Sequence, residues 1–491
     1  MKRKVHSILV KPLLTIVFVA NTACHVFSQN VGIGTISPTE KLQVAGNLKV
    51  DTIKPSAMKL TANAGDGKIL TSDAAGNASW QSKALAPGNI GYGVWGDCST
   101  NGNISEYQPV ADATNAASIY FGISVSVGDN YAVVGAFYDE VGANAEQGSA
   151  SIYRYNGNSW VFMQKITDAT GAAGDHFGVS VSISGSYAIV GAYKDDVGAK
   201  IDQGSASIYQ FNGSSWVLMQ KIMDNGGAAN DHFGVSAAIS GNHVIIGADL
   251  DDIGAVTDQG SASFYQYNGA SWVLTQKSAV PTGASGDSFG ARVSMSGTNA
   301  IIGAMDDDIG GNADQGSASI YHYNGTTGWD LVQTLTDATG ASGDNFGSSV
   351  SIAGNYLSVG AFSDDVGSNL DQGSAFIYQF DGSSWVLMQK ITEAGGAAYD
   401  FFGSGVSISD NYAMIGIPYH NTGTITEAGA TTIYQRIGTG WQKMQYITDP
   451  GGNDNDRFGS ATGINGITKQ FIIGALGFND GTGKAVFGRI N

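Results

Sequence analysis

Cysteine is almost missing from this chain, with two residues in 491, Cys24 and Cys98. Cys24 lies in an apolar leader, so Cys98 stands alone in what remains and no internal disulfide can form. The roughly 460 residues that remain must hold together by their core, and a chain of that size can. Proline is scarce too, 8 residues against 70 glycines, while aromatic residues keep a globular share of 10%. That combination points to many tight turns rather than disorder. Basic residues number 24 against 42 acidic ones, and four of the 24 sit in the leader, so the remaining 20 leave a balance of −22. Such a chain repels phosphate backbones and anionic lipid, which excludes nucleic acid as a partner. After the leader no long unbroken apolar run occurs, so no transmembrane segment is expected. Catalytic signatures are missing as well. There is no H-E-x-x-H pair, no serine elbow between strand and helix, and no glycine-rich phosphate loop opening a helix, so the chain is not expected to be an enzyme.

What is present begins with Lys2, Arg3, Lys4 and Lys11 around an apolar stretch from Ile8 to Ala20. That is the layout of a signal peptide, residues 1–28, with cleavage after Ser28 and Gln29 as the first mature residue. Asn21 stands where a lipidation signal needs a branched apolar residue. An exported protein, extracellular or at the cell surface, is expected.

A repeat then tiles the chain. Phe-Gly pairs begin at Phe121, Phe177, Phe233, Phe289, Phe346, Phe402 and Phe458, with spacings of 56, 56, 56, 57, 56 and 56. Trp160, Trp216, Trp272, Trp329, Trp385 and Trp441 keep the same beat. Each unit has four runs of strand character, in the second unit Gly178 to Ser184, Tyr187 to Ala192, Ser205 to Phe211 and Trp216 to Ile222. Ser-Gly and Asn-Gly-Ser-Ser join the first pair and the last pair as tight turns. The runs VSVSIS and YAIVGA suit strands buried between neighbouring sheets. Seven such units predict an all-β, seven-bladed β-propeller of four-stranded antiparallel blades over residues 91–491.

Ring closure is also written in the sequence. The last unit runs FGSATGI, FIIGAL, GKAVFG and ends without a fourth strand. Glu106 to Asp112 supplies it, because Gln108 to Gln164 and Asp112 to Asp168 are both 56 apart. A strand from the N-terminal side is therefore expected to close the seventh blade and remove its edge.

Strand alternation places the short one-to-two and three-to-four turns on one face, and the longer two-to-three and four-to-one loops on the other. Of the 42 acidic residues, 19 fall in the two-to-three loops and 13 in the four-to-one loops, so one face should be strongly acidic. The repeated element is Asp195, Asp196 and Asp202, then Asp251, Asp252 and Asp258, then Asp307, Asp308 and Asp314, then Asp364, Asp365 and Asp371. Unit one has Asp139, Glu140 and Glu146 in these places, while units six and seven keep only Glu427 and Asp480. Two readings stand side by side. Each loop folds around calcium, a hard cation that takes six to eight oxygens, which would make these twelve aspartates metal ligands. Alternatively, the aspartates cap loop amides as Asx-turns. His176 and His232 share a repeat position with Ser288, Asn345, Phe401 and Arg457, which reads as a surface or loop-packing place. The repeated tryptophans read as packing against the next blade rather than as a sugar platform.

These units resemble FG-GAP repeats, the blades of integrin α-subunit propellers and of many bacterial surface proteins. Phe177-Gly178 is the FG, and Val190-Gly191-Ala192-Tyr193 the degenerate GAP. The resemblance implies an extracellular propeller used for cell adhesion or ligand binding, seldom for catalysis. It departs at the first hairpins, where short turns such as Ser184-Gly185 replace the acidic calcium loops of that family. Residues 29–90 resemble the N-terminal stalk of exported Bacteroidetes proteins and of trimeric fibres, through Gly32-Ile33-Gly34-Thr35, Ser37-Pro38, Lys41-Leu42 and Gly46-Asn47. That implies a spacer or a joint of three chains, a homotrimer; a flexible leader is the alternative. The functional expectation is a binding or adhesion module whose acidic long-loop face takes an extracellular protein or glycan, with calcium as an aid. Competing expectations are a glycan-active enzyme or lectin with carboxylates at the channel mouth, and a structural matrix or fibre head. The divergent sixth unit, Ile417-Pro418-Tyr419-His420, is where a ligand-specific loop is expected.

Overall fold

The computed structural model describes residues 104–491 apart from 113–118, 281–282, 327, 450 and 478–480, together with four short strands nearer the N-terminus. The chain divides into two units, Met1–Gly96 and Asp97–Asn491. In the first unit Val31–Ile33 pairs in parallel with Leu42–Val44, and Lys68–Ser72 pairs antiparallel with Ala78–Ser82. The signal peptide, residues 1–28, and the motifs that carry the stalk and trimer reading lie otherwise outside the described residues.

The second unit is a ring of seven four-stranded antiparallel sheets. Blade 2 shows the pattern, with strands Phe177–Ser184, Tyr187–Ala192, Ser205–Phe211 and Trp216–Ile222 hydrogen-bonded in sequence order. The second strand is buried over Ala188 to Ala192 on both faces, as a strand pressed between two neighbouring sheets must be. Blade 7 takes three strands from the C-terminus, Phe458–Asn465, Gln470–Ala475 and Lys484–Ile490, and its outer strand from Ile104–Val110. The register runs Phe487↔Gln108 and Ile490↔Ile104, so the expected closure by an N-terminal strand is what the ring contains.

The motif residues explain how the blades meet. In every junction the glycine of the second strand lies against the glycine of the next Phe-Gly pair. A Cβ on Gly191 would run into the carbonyl oxygen of Gly234, and one on Gly474 into that of Gly122, which carries the same contact across the closure. Only hydrogen side chains allow backbones so near. Each Phe of the pair is buried, from Phe121 at 0% to Phe458 at 0% exposure, and fills the wedge beside that contact. Serines stitch the innermost strands. Ser182 Oγ accepts the Ile239 N–H at 3.2 Å, and Ser180 Oγ donates to Gly234 O at 2.8 Å.

The outer strands have their own clamp. Gln164 Nε2 donates to Trp216 O at 2.8 Å while Trp216 N–H donates to Gln164 Oε1 at 2.8 Å. The pairing recurs as Gln220 with Trp272, Gln276 with Trp329 and Gln333 with Trp385. The closing strand makes it as well, through Gln108 and Trp160. The tryptophans are buried, which rules out a sugar platform, and their packing direction differs from expectation. Trp216 sits edge-on to Tyr131 of the preceding blade at 5.3 Å, and Trp272 to Tyr187 at 5.6 Å. The cause is the clamp, which fixes the start of each outer strand to the blade before it. A β-bulge in each outer strand of blades 1 to 6, as between Ile208 and Tyr209 on the partner strand, kinks the exposed edge and blunts its pairing with other chains.

Candidate functional site

The acidic residues of the long loops divide by task. In blades 1, 2, 3 and 5 the first aspartate of the loop points into the junction between blades and meets a lysine from its own outer strand. Lys221 Nζ lies 2.6 Å from Asp195 and 2.6 Å from Asp168, the latter just after the outer strand Trp160–Ile166 of blade 1. Lys390 repeats this with Asp364 at 2.7 Å and Asp337 at 2.9 Å. Lys277 holds Asp251 and Asp224, and Lys165 holds Asp139 and Asp112. Burial works against each ammonium, but the hydrogen bonds it donates to two aspartates outweigh it and hold Lys221 above its ordinary range. Burial likewise opposes ionisation of Asp168, and Lys221 with Thr170 more than reverses it.

Between blades 3 and 4 the lysine and its partner are lost together, replaced by Thr334 and Val280. Asp307 is left there with its pKa raised, by burial first and then by Asp308, against a hydrogen bond from Ser317. Later junctions rebuild the pair differently, with Lys443 on Glu393 at 2.5 Å and Lys484 on Asp449. A third buried carboxylate joins most clusters. Asp344 accepts the Ala341 N–H at 2.6 Å, and burial chiefly, relieved in part by that bond and reinforced by Asp364, raises it to about 6; Asp175 is raised to about 6 in the same way.

Replacing Lys221 by methionine leaves Asp168 and Asp195 buried without a cation. The expected cost is about 3 kcal/mol, the low end for breaking a buried pair because the lysine is partly solvated. Thr334→Met, where no cluster stands, should stay within about 0.5 kcal/mol. Thermal unfolding of both variants checks the contrast.

In blades 2 to 5 the second acid of each loop accepts the backbone N–H of the third. Asp196 Oδ1 accepts the Asp202 N–H at 2.9 Å, Asp252 that of Asp258 at 2.9 Å, Asp308 that of Asp314 at 3.0 Å, and Asp365 that of Asp371 at 2.9 Å. In blade 6 an uncharged Asn421 makes the same bond to Glu427 at 2.9 Å, so the loop uses the oxygen and not the charge. The third residue takes a left-handed backbone, φ 52° at Asp202 and 50° at Asp371, where Asp is among the better tolerated residues. The first two carboxylates of one loop are thus spent in separate places, one on a lysine and one on a backbone amide. Among the described residues the acids that do converge are Asp337, Asp344 and Asp364, within 4.8 Å, and Lys390 already stands on two of them. This arrangement fits a lysine-bridged junction better than a calcium cage.

A different set of residues gathers where the innermost strands begin, at the mouth of the central channel on the long-loop face. Just before each Phe-Gly pair stand Tyr120, His176, His232, Ser288, Asn345, Phe401 and Arg457, all at positive φ between 51° and 59°. A residue so strained recurs in all seven blades, yet its chemistry changes around the ring. On one side His176 is buried, with Nδ1 3.1 Å from Tyr193 Oη, and its ring packs on Phe137 and Tyr138 at 5.2 and 4.8 Å. Burial lowers its pKa, with Glu146 opposing that and Lys194 adding to it. Tyr193 then meets His232 edge-on at 4.9 Å, and His232 Nδ1 lies 3.3 Å from Asp249. Beyond it Asn345 Nδ2 donates to Asp306 at 3.3 Å, and burial raises the Asp306 pKa despite a hydrogen bond from Ser288.

On the other side Phe401 lies against Phe362 at 5.7 Å and Tyr419 at 5.0 Å, and Arg457 stacks over Tyr419 at 4.7 Å. His420 of the sixth unit turns instead into the junction, 2.9 Å from Asp400, whose hydrogen bond raises its pKa against the effect of burial. The string Gly286 to Gly290 reads G-x-S-x-G, but Ser288 there lies in a loop before the strand Arg292–Ser296 and bonds Gly286 O and Asp306 rather than a histidine. The loop-packing place that the sequence gives His176 agrees with its burial against Phe137 and Tyr138. The signal that finds this ring of positions is variation at one fixed register inside an otherwise uniform repeat.

Comparison with known proteins agrees with this architecture. No curated protein matches the chain significantly. The family model described as FG-GAP repeat matches residues 160–209, 216–265, 272–321, 329–378 and 385–434, just over half of the chain. Each matched segment starts at a clamped tryptophan and runs through the Phe-Gly pair and second-strand glycine of the next blade, so it spans a junction. By the extent of that match and the seven blades it belongs to, the chain is a member of the FG-GAP repeat family.

Proposed function

We propose that the chain is an exported, non-catalytic binding or adhesion module, and that its extracellular protein or glycan ligand docks at the channel mouth on the long-loop face. One observation carries this reading: seven structurally equivalent mouth positions hold Tyr, His, His, Ser, Asn, Phe and Arg, while the residues that build the junctions repeat almost unchanged. A scaffold conserves its packing from blade to blade, whereas a site for one asymmetric ligand must break the symmetry. Half-buried rings and hydrogen-bonding groups facing one opening are also what ligand sites use. The reading is tested by screening the mature chain and its Tyr193→Ala/Phe401→Ala double variant on glycan and extracellular-protein arrays. A hit lost in the variant supports it, and the absence of any hit favours the structural-head alternative.

Calcium is assigned no part in holding the ring, because lysine ammonium groups fill the junctions where the carboxylates gather. Melting temperatures in calcium and in EDTA should therefore agree; a calcium-dependent rise, the signature of a ligand bound only to the folded state, would return the loop aspartates to the role of metal ligands. A glycan-active enzyme is the second reading, favoured by the raised pKa of Asp306 beside Asp249. Turnover of a glycan that Asp306→Asn abolishes without weakening binding would establish it.

A further inference from the structure

Arg292 breaks the inner ring. Blades 1, 2, 3 and 5 have serine at its register, Ser124, Ser180, Ser236 and Ser349. Three of those hydroxyls donate across the junction to the next Phe-Gly carbonyl, at 2.8, 2.8 and 2.6 Å for Ser124, Ser180 and Ser349. A guanidinium cannot occupy the gap that a serine hydroxyl fills. Arg292 is exposed to solvent, yet burial depresses its pKa, with Asp249 opposing the shift. An exposed side chain at the start of Arg292–Ser296, the innermost strand of its blade, meets water at the channel. Nη1 donates to Ala291 O at 2.7 Å, and among the described residues the guanidinium makes no ion pair. Four of its five donors are thus left for another acceptor.

We propose that Arg292 anchors the carboxylate of a ligand entering the channel from the long-loop face, and that this ligand is an oligosaccharide ending in a single sugar acid. The inference rests on the channel-mouth reading above. An arginine fork matches a carboxylate in two parallel hydrogen bonds, and one guanidinium suits one such group. The rim argues against a polyanion, because exposed acids such as Asp196, Asp252 and Asp308 would repel it. Asp249 neighbours Arg292, and beyond it the mouth offers Asp306 and Asn345 as partners for hydroxyl groups and the half-buried Tyr193 as a surface for a sugar face.

The test titrates the mature chain with a disaccharide ending in glucuronate, with its methyl ester, and with an acetylated tripeptide carrying one C-terminal carboxylate. The glucuronate should bind at least tenfold more tightly than the ester. Arg292→Ser, which restores the residue of the neighbouring blades and so preserves the ring, should abolish that preference while leaving the melting temperature unchanged. Equal binding of acid and ester, or an unaltered preference in Arg292→Ser, overturns the proposal and leaves the mouth reading standing on the array result. Binding of the tripeptide in place of the saccharide overturns the sugar assignment. Failure of every probe at millimolar concentration overturns the proposal as a whole.

Discussion

Changing Gly191 to alanine should destabilise the ring by about 4 kcal/mol or more, in the range reserved for broken backbone packing. The added methyl would meet the Gly234 carbonyl and the Ser180 hydroxyl, so two blades must separate or a strand must shift. Neither neighbour can rotate away, since one is backbone and the other is tied to it by hydrogen bond. Gly185→Ala is the control. Gly185 has φ 58° with open space around its Cβ position, so alanine there costs only the left-handed strain, about 1–2 kcal/mol. Soluble yield and thermal unfolding of both variants separate the two effects. A Gly191→Ala protein that melts like the parent would leave the joint recurrence of the second-strand and Phe-Gly glycines without a cause in packing.

Deleting residues 1–112 should have an effect as large. It removes Ile104–Val110, the Gln108 clamp on Trp160 and the Asp112 partner of Lys165. The edge of Lys484–Ile490 would then lie open, and an open edge beside an apolar core invites pairing between chains. Loss of the sharp melting transition and growth of aggregates by light scattering are expected. A chain starting at Asp97 keeps the strand and should melt like the full-length protein. A ring that stays monomeric and melts normally without residues 1–112 would contradict closure by this strand.

The architecture is legible in the sequence because it is written at fixed spacing. Seven Phe-Gly pairs set the blade count, and the 56-residue offset from Gln108 to Gln164 locates the closing strand. The clamp shows why that offset works, since the glutamine must reach a tryptophan in the next blade. The loop acids are harder to read, because adjacency in sequence makes Asp195, Asp196 and Asp202 look like one group. Neighbouring side chains diverge, so Asp195 enters the junction while Asp196 turns back on its loop. Lys221 cannot be matched to Asp168 from sequence, because the two meet only once blades stack. The mouth is hidden for a related reason. Positions such as His176 and Phe401 lie 225 residues apart in the chain and face one opening only in the closed ring.

Repeated residues build this ring, and the proposed function gives binding to the divergent ones at the channel mouth. That division of labour is tested most directly by measuring one array-identified ligand against two variant sets of equal size. One set neutralises the rim, Asp196→Asn, Asp252→Asn and Asp365→Asn; the other alters the mouth, Tyr193→Ala, His232→Ala and Phe401→Ala. The mouth set is expected to weaken binding at least tenfold and the rim set to change it less than threefold. Binding lost in the rim set and kept in the mouth set would contradict the assignment.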